Sequence, residues 1–139
     1  IGFSDAGAHL RNMAHYNFPL RLLRLMRDAE ARGEGFMSAA AAVYRLTGEI
    51  GEWFKIDAGV LCEGARADVV VLNPERLDAQ LDATYEEPMK GFGDFKRLVR
   101  RNPDVVDAVL VNGRVAVRKG ELEPQVGQEL GYGRVLRAG

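Results

Sequence analysis

The sequence contains 139 residues, of which 47% are hydrophobic and 28% are charged, a composition typical of one globular domain with a modest core. The formal net charge of -1 leaves no positive excess to attract nucleic acid or an anionic membrane, so neither is expected as a partner. No apolar run approaches the roughly 20 residues that cross a bilayer, and no signal-peptide pattern opens the chain, which predicts a cytoplasmic protein.

The first residues predict a buried strand that delivers a group of polar side chains. The apolar segment Ile1 to Ser4 ends at Asp5, and a loop of small residues leads from there to His9 and Arg11. The chain opens directly inside this strand and without a methionine. We therefore interpret the sequence as a fragment of a longer protein.

Helices are expected next. Pro19 suits the first turn of a helix, and apolar residues recur on one face until Arg32-Gly33 ends it. A second helix is predicted to begin at Ser38, which serves as the N-cap, and to end at Leu46. A short helical turn is expected over residues 50–54.

The pattern then changes from helix to sheet. Two extended segments are predicted, over residues 56–62 and 67–72, and each contains or follows a glycine. The second includes the β-branched run Val69-Val70-Val71, which is typical of a strand buried on both faces. Within the polar stretch that follows, residues 94–101 are the segment that a helix would fit.

A β-hairpin over residues 107–118 is the strongest local signal. Its turn is Asn112-Gly113, a pair that tolerates the positive φ angles of a type I′ turn. The glycine-rich tail, residues 121–139, is expected to be irregular. Trp53, the hairpin valines and the single cysteine Cys62 are assigned to the core, since such side chains are usually buried.

The opening segment Gly2-Phe3-Ser4-Asp5-Ala6-Gly7-Ala8-His9 resembles the last active-site segment of the amidohydrolase superfamily, whose members place an aspartate after the eighth strand of a (β/α)8 barrel. Further similar segments follow in the family's order: Tyr44-Arg45-Leu46-Thr47, Gly59-Val60-Leu61 and Gly64-Ala65-Arg66-Ala67-Asp68-Val69-Val70-Val71-Leu72. The C-terminal half is most similar to the N-acyl-D-amino-acid deacylase branch, in residues 73–74, 83–88, 109–113, 119–121 and 133–137. Residues 89–106 form a longer link than this branch leads us to expect.

This resemblance implies an α/β + β fold made of two parts. Residues 1–55 would be the C-terminal end of a metal-dependent (β/α)8 barrel, with its last strand and closing helices. Residues 56–139 would be the C-terminal portion of a small β-sandwich, followed by the tail. Asp68, at the start of a sandwich strand, is expected to have a structural role, with its carboxylate bonded to the backbone.

The activity implied is hydrolysis of the C–N amide bond of N-acyl amino acids. Zinc or another divalent metal lowers the pKa of a bound water to about 7, and a base must then take the proton. The resemblance assigns both metal ligation and the base to Asp5, which would later return the proton to the leaving nitrogen. Its position after a strand suits a barrel active site. The alternative is an aspartate that only caps the following turn.

His9 and Arg11 are the candidate substrate-binding residues. His9 could contact the substrate carboxylate or could be a loop histidine bonded to backbone. The planar guanidinium of Arg11 could pair with that carboxylate, although loop arginines are more often solvated. Two histidines without a His-x-His pair cannot supply the three or four ligands of a catalytic zinc site. The chain alone is therefore expected to bind no metal and to be inactive.

Two other functions are compatible with these residues. One is an amidohydrolase that acts on a cyclic amide or ureide, as dihydroorotase and hydantoinase do. The other is a non-enzymatic α+β module that binds a partner through exposed strand edges. A fragment that has lost neighbouring strands would also expose strand edges and apolar helix faces, so a homo-oligomer is expected.

Overall fold

The computed structural model describes residues 17–89 and 91–139, in which three helices precede a set of antiparallel strands. The strand predicted for Ile1 to Ser4 lies outside these residues. The elements are α1 Phe18–Ala31, α2 Ala39–Leu46, α3 Gly48–Phe54, β1 Val69–Leu72, β2 Tyr85–Pro88, β3 Lys96–Val99, β4 Val106–Val111, β5 Arg114–Arg118 and β6 Glu121–Leu122. Short 3-10 helices cover Pro74–Arg76 and Ala79–Asp82. None of the helices in the described part is long and apolar enough to cross a bilayer.

The helices begin and end close to where the local signals predict. Pro19 lies in the first turn of α1, and Arg32 follows its last turn with its N–H donated to the Ala29 carbonyl at 3.1 Å. The Ser38 hydroxyl accepts the Ala41 N–H at 3.1 Å, which confirms the predicted N-cap of α2. The short helix expected near residue 50 is confirmed as α3.

The chain after α3 packs back against the α2–α3 junction. Gly59 has a φ of +93°, and a Cβ at this position would lie 2.6 Å from the Thr47 carbonyl oxygen. A Cβ on Gly51 would collide with the Ala58 carbonyl in the same way. Only glycine combines the positive φ of position 59 with so close an approach, and at Gly51 the approach alone excludes a side chain, so these positions hold the loop against the helices.

The larger sheet has four antiparallel strands in the order β1-β4-β5-β6. Its centre is the predicted hairpin, in which Val111 pairs with Arg114 across Asn112 and Gly113. These turn residues have φ angles of 52° and 79°, so the predicted type I′ geometry is confirmed. A separate two-stranded sheet joins β2 to β3.

Two predicted elements are wrong. Residues 56–62 form a loop rather than a strand. The backbone around Gly59 packs against the helices and does not pair with another strand. Residues 94–101 contain strand β3 instead of a helix. The link of residues 89–106 is longer than expected because it contains β3, the partner of β2. Pairing with β2 overrides the local preference of residues 94–101 for a helix.

Three burial predictions are also wrong. Val70 and Val71 are 56% and 42% exposed, because β1 is an outer strand of its sheet and, within the described residues, no second layer covers it. Trp53 is 67% exposed on α3, and Cys62 is exposed in the loop after it. Each of these side chains has the chemistry of a core residue but no described neighbour to cover it.

The core lies where α1 and α2 meet the segment between the sheets. Leu81 and Ala42 are completely buried. They belong to a cluster whose other buried members come from α1, from the chain near the 3-10 helices and from the residue before β4: Leu23, Met26, Leu77 and Val105. This cluster packs the helices against the strand-bearing half of the chain.

Candidate functional site

The predicted active-site residues Asp5, His9 and Arg11 lie outside the described residues. The described part begins immediately downstream, at Asn17, which is 6% exposed. The Asn17 side-chain amide donates to the Leu81 carbonyl at 2.6 Å and to Asn102 Oδ1 at 3.2 Å. The start of α1 is therefore anchored to the core by a buried polar contact that sequence patterns did not reveal.

The described residues do not fit a metal centre. They contain no group of three or more His, Cys, Asp or Glu side chains that could hold a metal ion. Both histidines of the sequence, His9 and His15, precede the described part. Since a catalytic zinc needs three protein ligands, we derive no metal-dependent step from residues 17–89 and 91–139.

Asp68 joins the start of β1 to the hairpin turn. Its Oδ1 accepts the Asn112 N–H at 2.8 Å, and its Oδ2 lies 2.6 Å from Arg66 Nη2. The Gly113 N–H donates to the Ala67 carbonyl at 2.8 Å beside it. The predicted structural role of Asp68 is confirmed. The hydrogen bond from Arg66 is the largest of the effects that lower the pKa of this carboxyl, and the Asn112 N–H adds to it. Burial acts in the opposite direction but does not cancel them.

Replacing Asp68 with asparagine should destabilise the fold at neutral pH by about 2 kcal/mol, because Arg66 loses its charged partner. A carboxyl with a lowered folded-state pKa contributes stability above its unfolded pKa of about 3.9, and this contribution is lost as the pH falls through the folded pKa. The difference between wild type and variant should therefore shrink in acid. Urea unfolding at about pH 7 and about pH 3 measures it.

Asp57→Asn provides the matched control, because Asp57 also pairs with an arginine but its side chain is 75% exposed. This substitution should change stability by less than about 0.5 kcal/mol at either pH. An equal loss of stability for the Asp68 variant at both pH values would contradict the assigned contribution of the carboxylate.

A cluster of arginines surrounds Asp82, at the end of the second 3-10 helix. Arg24 Nη1 lies 3.0 Å from Asp82 Oδ2, Arg21 Nε lies 3.2 Å from Oδ1, and Arg100 Nη1 lies 3.7 Å from Oδ1. An open cavity of about 460 Å³ lies beside these groups. Arg24 also pairs with Asp28 at 3.3 Å. Because the guanidinium groups are directed at carboxylates of the protein itself, the cluster connects α1 to the end of β3.

The C-terminal tail is held by specific contacts, although it contains little regular structure. The Arg114 guanidinium lies 4.1 Å from the ring centre of Tyr132 and 2.6 Å from Glu129 Oε2. Further along, Arg134 pairs with Asp57 at 3.1 Å, and the last N–H of the chain donates to the Lys55 carbonyl at 3.0 Å. The tail therefore runs back from the hairpin to the end of α3.

The helices also present exposed apolar side chains, which we call the α2–α3 apolar surface: Val43, Tyr44, Trp53 and Phe54. Trp53 and Phe54 have ring centres 5.2 Å apart and are 67% and 53% exposed. In the following loop Leu61 is 74% exposed. Contiguous exposed apolar patches mark interaction sites for a protein, a membrane or a ligand, whereas single exposed apolar side chains are ordinary.

Comparison with known proteins identifies relatives but no function. No family model matches the sequence, and no solved structure matches it. Relatives from Mycobacterium bovis and from two strains of Mycobacterium tuberculosis are each 51% identical over 143 residues, a match that covers 100% of this chain. Each is described as an uncharacterized protein, and the match covers 23% of its length. The chain thus spans about a quarter of the length of the curated relatives it matches.

Proposed function

We propose that this chain is the C-terminal part of a cytoplasmic, metal-dependent amidohydrolase that hydrolyses the C–N amide bond of N-acyl amino acids. Residues 1–55 would form the end of its (β/α)8 barrel and residues 56–139 part of its β-sandwich. Asp5 would be the general base and a metal ligand, with His9 and Arg11 at the substrate carboxylate. Zinc or another divalent ion would be held largely by residues outside this chain.

The observation that carries the proposal is that segments similar to the family, although distant in sequence, contact each other. Gly59 packs against the carbonyl of Thr47, and Asp68 binds the backbone of Asn112. Each contact depends on the residue type: a glycine where a Cβ would collide, and a short carboxylate where a turn N–H needs an acceptor. These contacts support the proposal, because both join segments that carry the resemblance.

Two further features support a larger parent protein. The α2–α3 apolar surface exposes side chains of a type that is normally covered. The curated relatives are about four times as long as the matched region, which covers 23% of each. Polypeptide outside this chain could thus complete both the barrel and the metal site.

The proposal predicts activity for the complete gene product and none for the 139-residue chain. Both should be assayed with zinc, cobalt or manganese against N-acetylated D- and L-amino acids and against a cyclic ureide. We expect the complete product to cleave an N-acetyl amino acid, whereas the chain alone should not exceed a metal-only blank, because it cannot supply the ligands of the metal site.

Each other outcome selects a different function. Preference for the cyclic ureide would favour the alternative substrate class, since both reactions use the same bond chemistry. A complete product that cleaves none of these compounds would favour the partner-binding module. Turnover by the purified 139-residue chain would contradict the assignment of the metal ligands to polypeptide outside it.

A further inference from the structure

Strand β1 has the properties of an edge that accepts another strand. It is an outer strand of the four-stranded sheet, and its sequence Val69–Leu72 contains no charged residue, proline or glycine. Its two central valines are 56% and 42% exposed. Natural edge strands usually carry charges, prolines or bulges that prevent pairing. The opposite edge, β6, has only two residues, one of them a glutamate, and cannot template pairing in the same way.

The hairpin determines which backbone groups of β1 face outward. The two-residue turn closes on the Val111–Arg114 pair, so Val111 and Val109 direct their backbone N–H and C=O groups toward β5. Ala108 and Leu110 alternate with them and face β1, where they pair with Val71 and Val69. The register of the two strands shifts between Val71 and Leu72, but the extra residue, Asp107, lies on β4, so the alternation along β1 is unbroken. Val70 and Leu72 must therefore point their backbone groups away from β4.

The contact at the end of β1 agrees with this alternation. The Asn73 N–H donates to the Val105 carbonyl at 2.8 Å, so residue 73 faces the sheet like residues 69 and 71. The Ala67 carbonyl, at the other end, accepts the Gly113 N–H from the same side. Outward backbone groups thus recur at positions 68, 70 and 72.

We propose that the outer edge of β1, which pairs with no other strand among residues 17–89 and 91–139, pairs in antiparallel fashion with β1 of a second copy of this chain, about a two-fold axis at Val70. The outward positions 68, 70 and 72 are symmetric about Val70, so Val70 of one copy pairs with Val70 of the other. Asp68 of each copy then lies opposite Leu72. The pairing joins the two sheets into one and does not depend on the proposed enzymatic function.

Charge and side-chain chemistry make this register self-complementary. No like charges oppose each other, because the only charged residue in the paired region, Asp68, faces an apolar residue and is already paired with Arg66 at 2.6 Å. Valines opposite valines are favourable cross-strand pairs. The Asp68 N–H is already donated to the Arg66 carbonyl at 3.1 Å, so the strongest new hydrogen bonds form at Val70.

Val70→Pro in the full 139-residue chain tests the proposal directly. Proline removes the outward N–H of Val70 and leaves the N–H groups that bind β4 in place, a substitution that edge strands tolerate. The wild type should sediment as a dimer at micromolar concentration, and the variant should dissociate at least tenfold more readily. The Val70 amide of the wild type should also exchange more slowly with solvent as concentration rises.

Val70→Lys is a second variant that keeps the N–H and places two ammonium groups at the axis, where repulsion should also weaken the dimer. Val135→Pro is the control, since Val135 is 82% exposed in the tail, and it should leave the dimer intact. A monomeric wild type, or a dimer unaffected by both Val70 variants, would overturn the proposal. Val70 amide protection that does not depend on concentration would also overturn it, because the edge would then be covered within one chain.

Discussion

Asp5→Asn in the complete gene product should lower turnover by about 10² to 10⁴ while leaving substantial metal bound, because loss of an essential general base commonly costs this much. Asparagine keeps the size of the side chain and an oxygen for ligation, but it cannot accept the proton of the attacking water. The same residue would otherwise return that proton to the leaving nitrogen. The rate and the metal content must be measured on the same preparation.

Asp57→Asn is a suitable control for this experiment, because it makes the same chemical change at a side chain that is 75% exposed and paired with Arg134. It should leave both rate and metal content unchanged. If Asp5→Asn retained full metal and a rate near that of the wild type, Asp5 would not be the base. Loss of metal together with activity would assign Asp5 mainly to ligation.

Leu81→Ala should destabilise the 139-residue chain by about 2 to 5 kcal/mol, the range found when a buried leucine is truncated. Leu81 is the largest fully buried side chain among the described residues and belongs to the cluster that joins α1 and α2 to the residue before β4. Its backbone carbonyl also accepts the Asn17 side-chain amide at 2.6 Å. A cavity here weakens the cluster that packs α1 and α2 against the chain between the two sheets.

Leu130→Ala removes the same atoms from a side chain that is 97% exposed and should change stability by less than about 0.5 kcal/mol. Urea unfolding of both variants and the wild type measures the difference in unfolding free energy. The comparison requires that the dependence of this free energy on urea concentration be the same in all three proteins. Similar small losses for the two variants would show that residues around position 81 do not form the cooperative core. The loss expected for Leu81→Ala is a large fraction of the total free energy of unfolding of a domain, which is roughly 5 to 15 kcal/mol.

Elements with a strong local signal were predictable from sequence. The N-cap at Ser38, the proline in the first turn of α1 and the Asn112-Gly113 turn each depend on the residue's own conformational preference or on a hydrogen bond a few residues away. The structural role of Asp68 was expected from the family resemblance, whereas its partner, the Asn112 N–H, lies 44 residues away and was set by the tertiary structure. The catalytic roles of residues before position 17 stay predictions from sequence.

Features that depend on distant partners were decided only by the tertiary structure. The segment around residue 97 became a strand because β2 lies beside it, and the chain around Gly59 became a loop because it packs against Thr47. Trp53 and Val70 have core chemistry, yet whether they are covered depends on polypeptide that local sequence does not specify. Residue type and local hydrogen bonds determine turns and caps, whereas burial and strand pairing are determined by which surfaces meet.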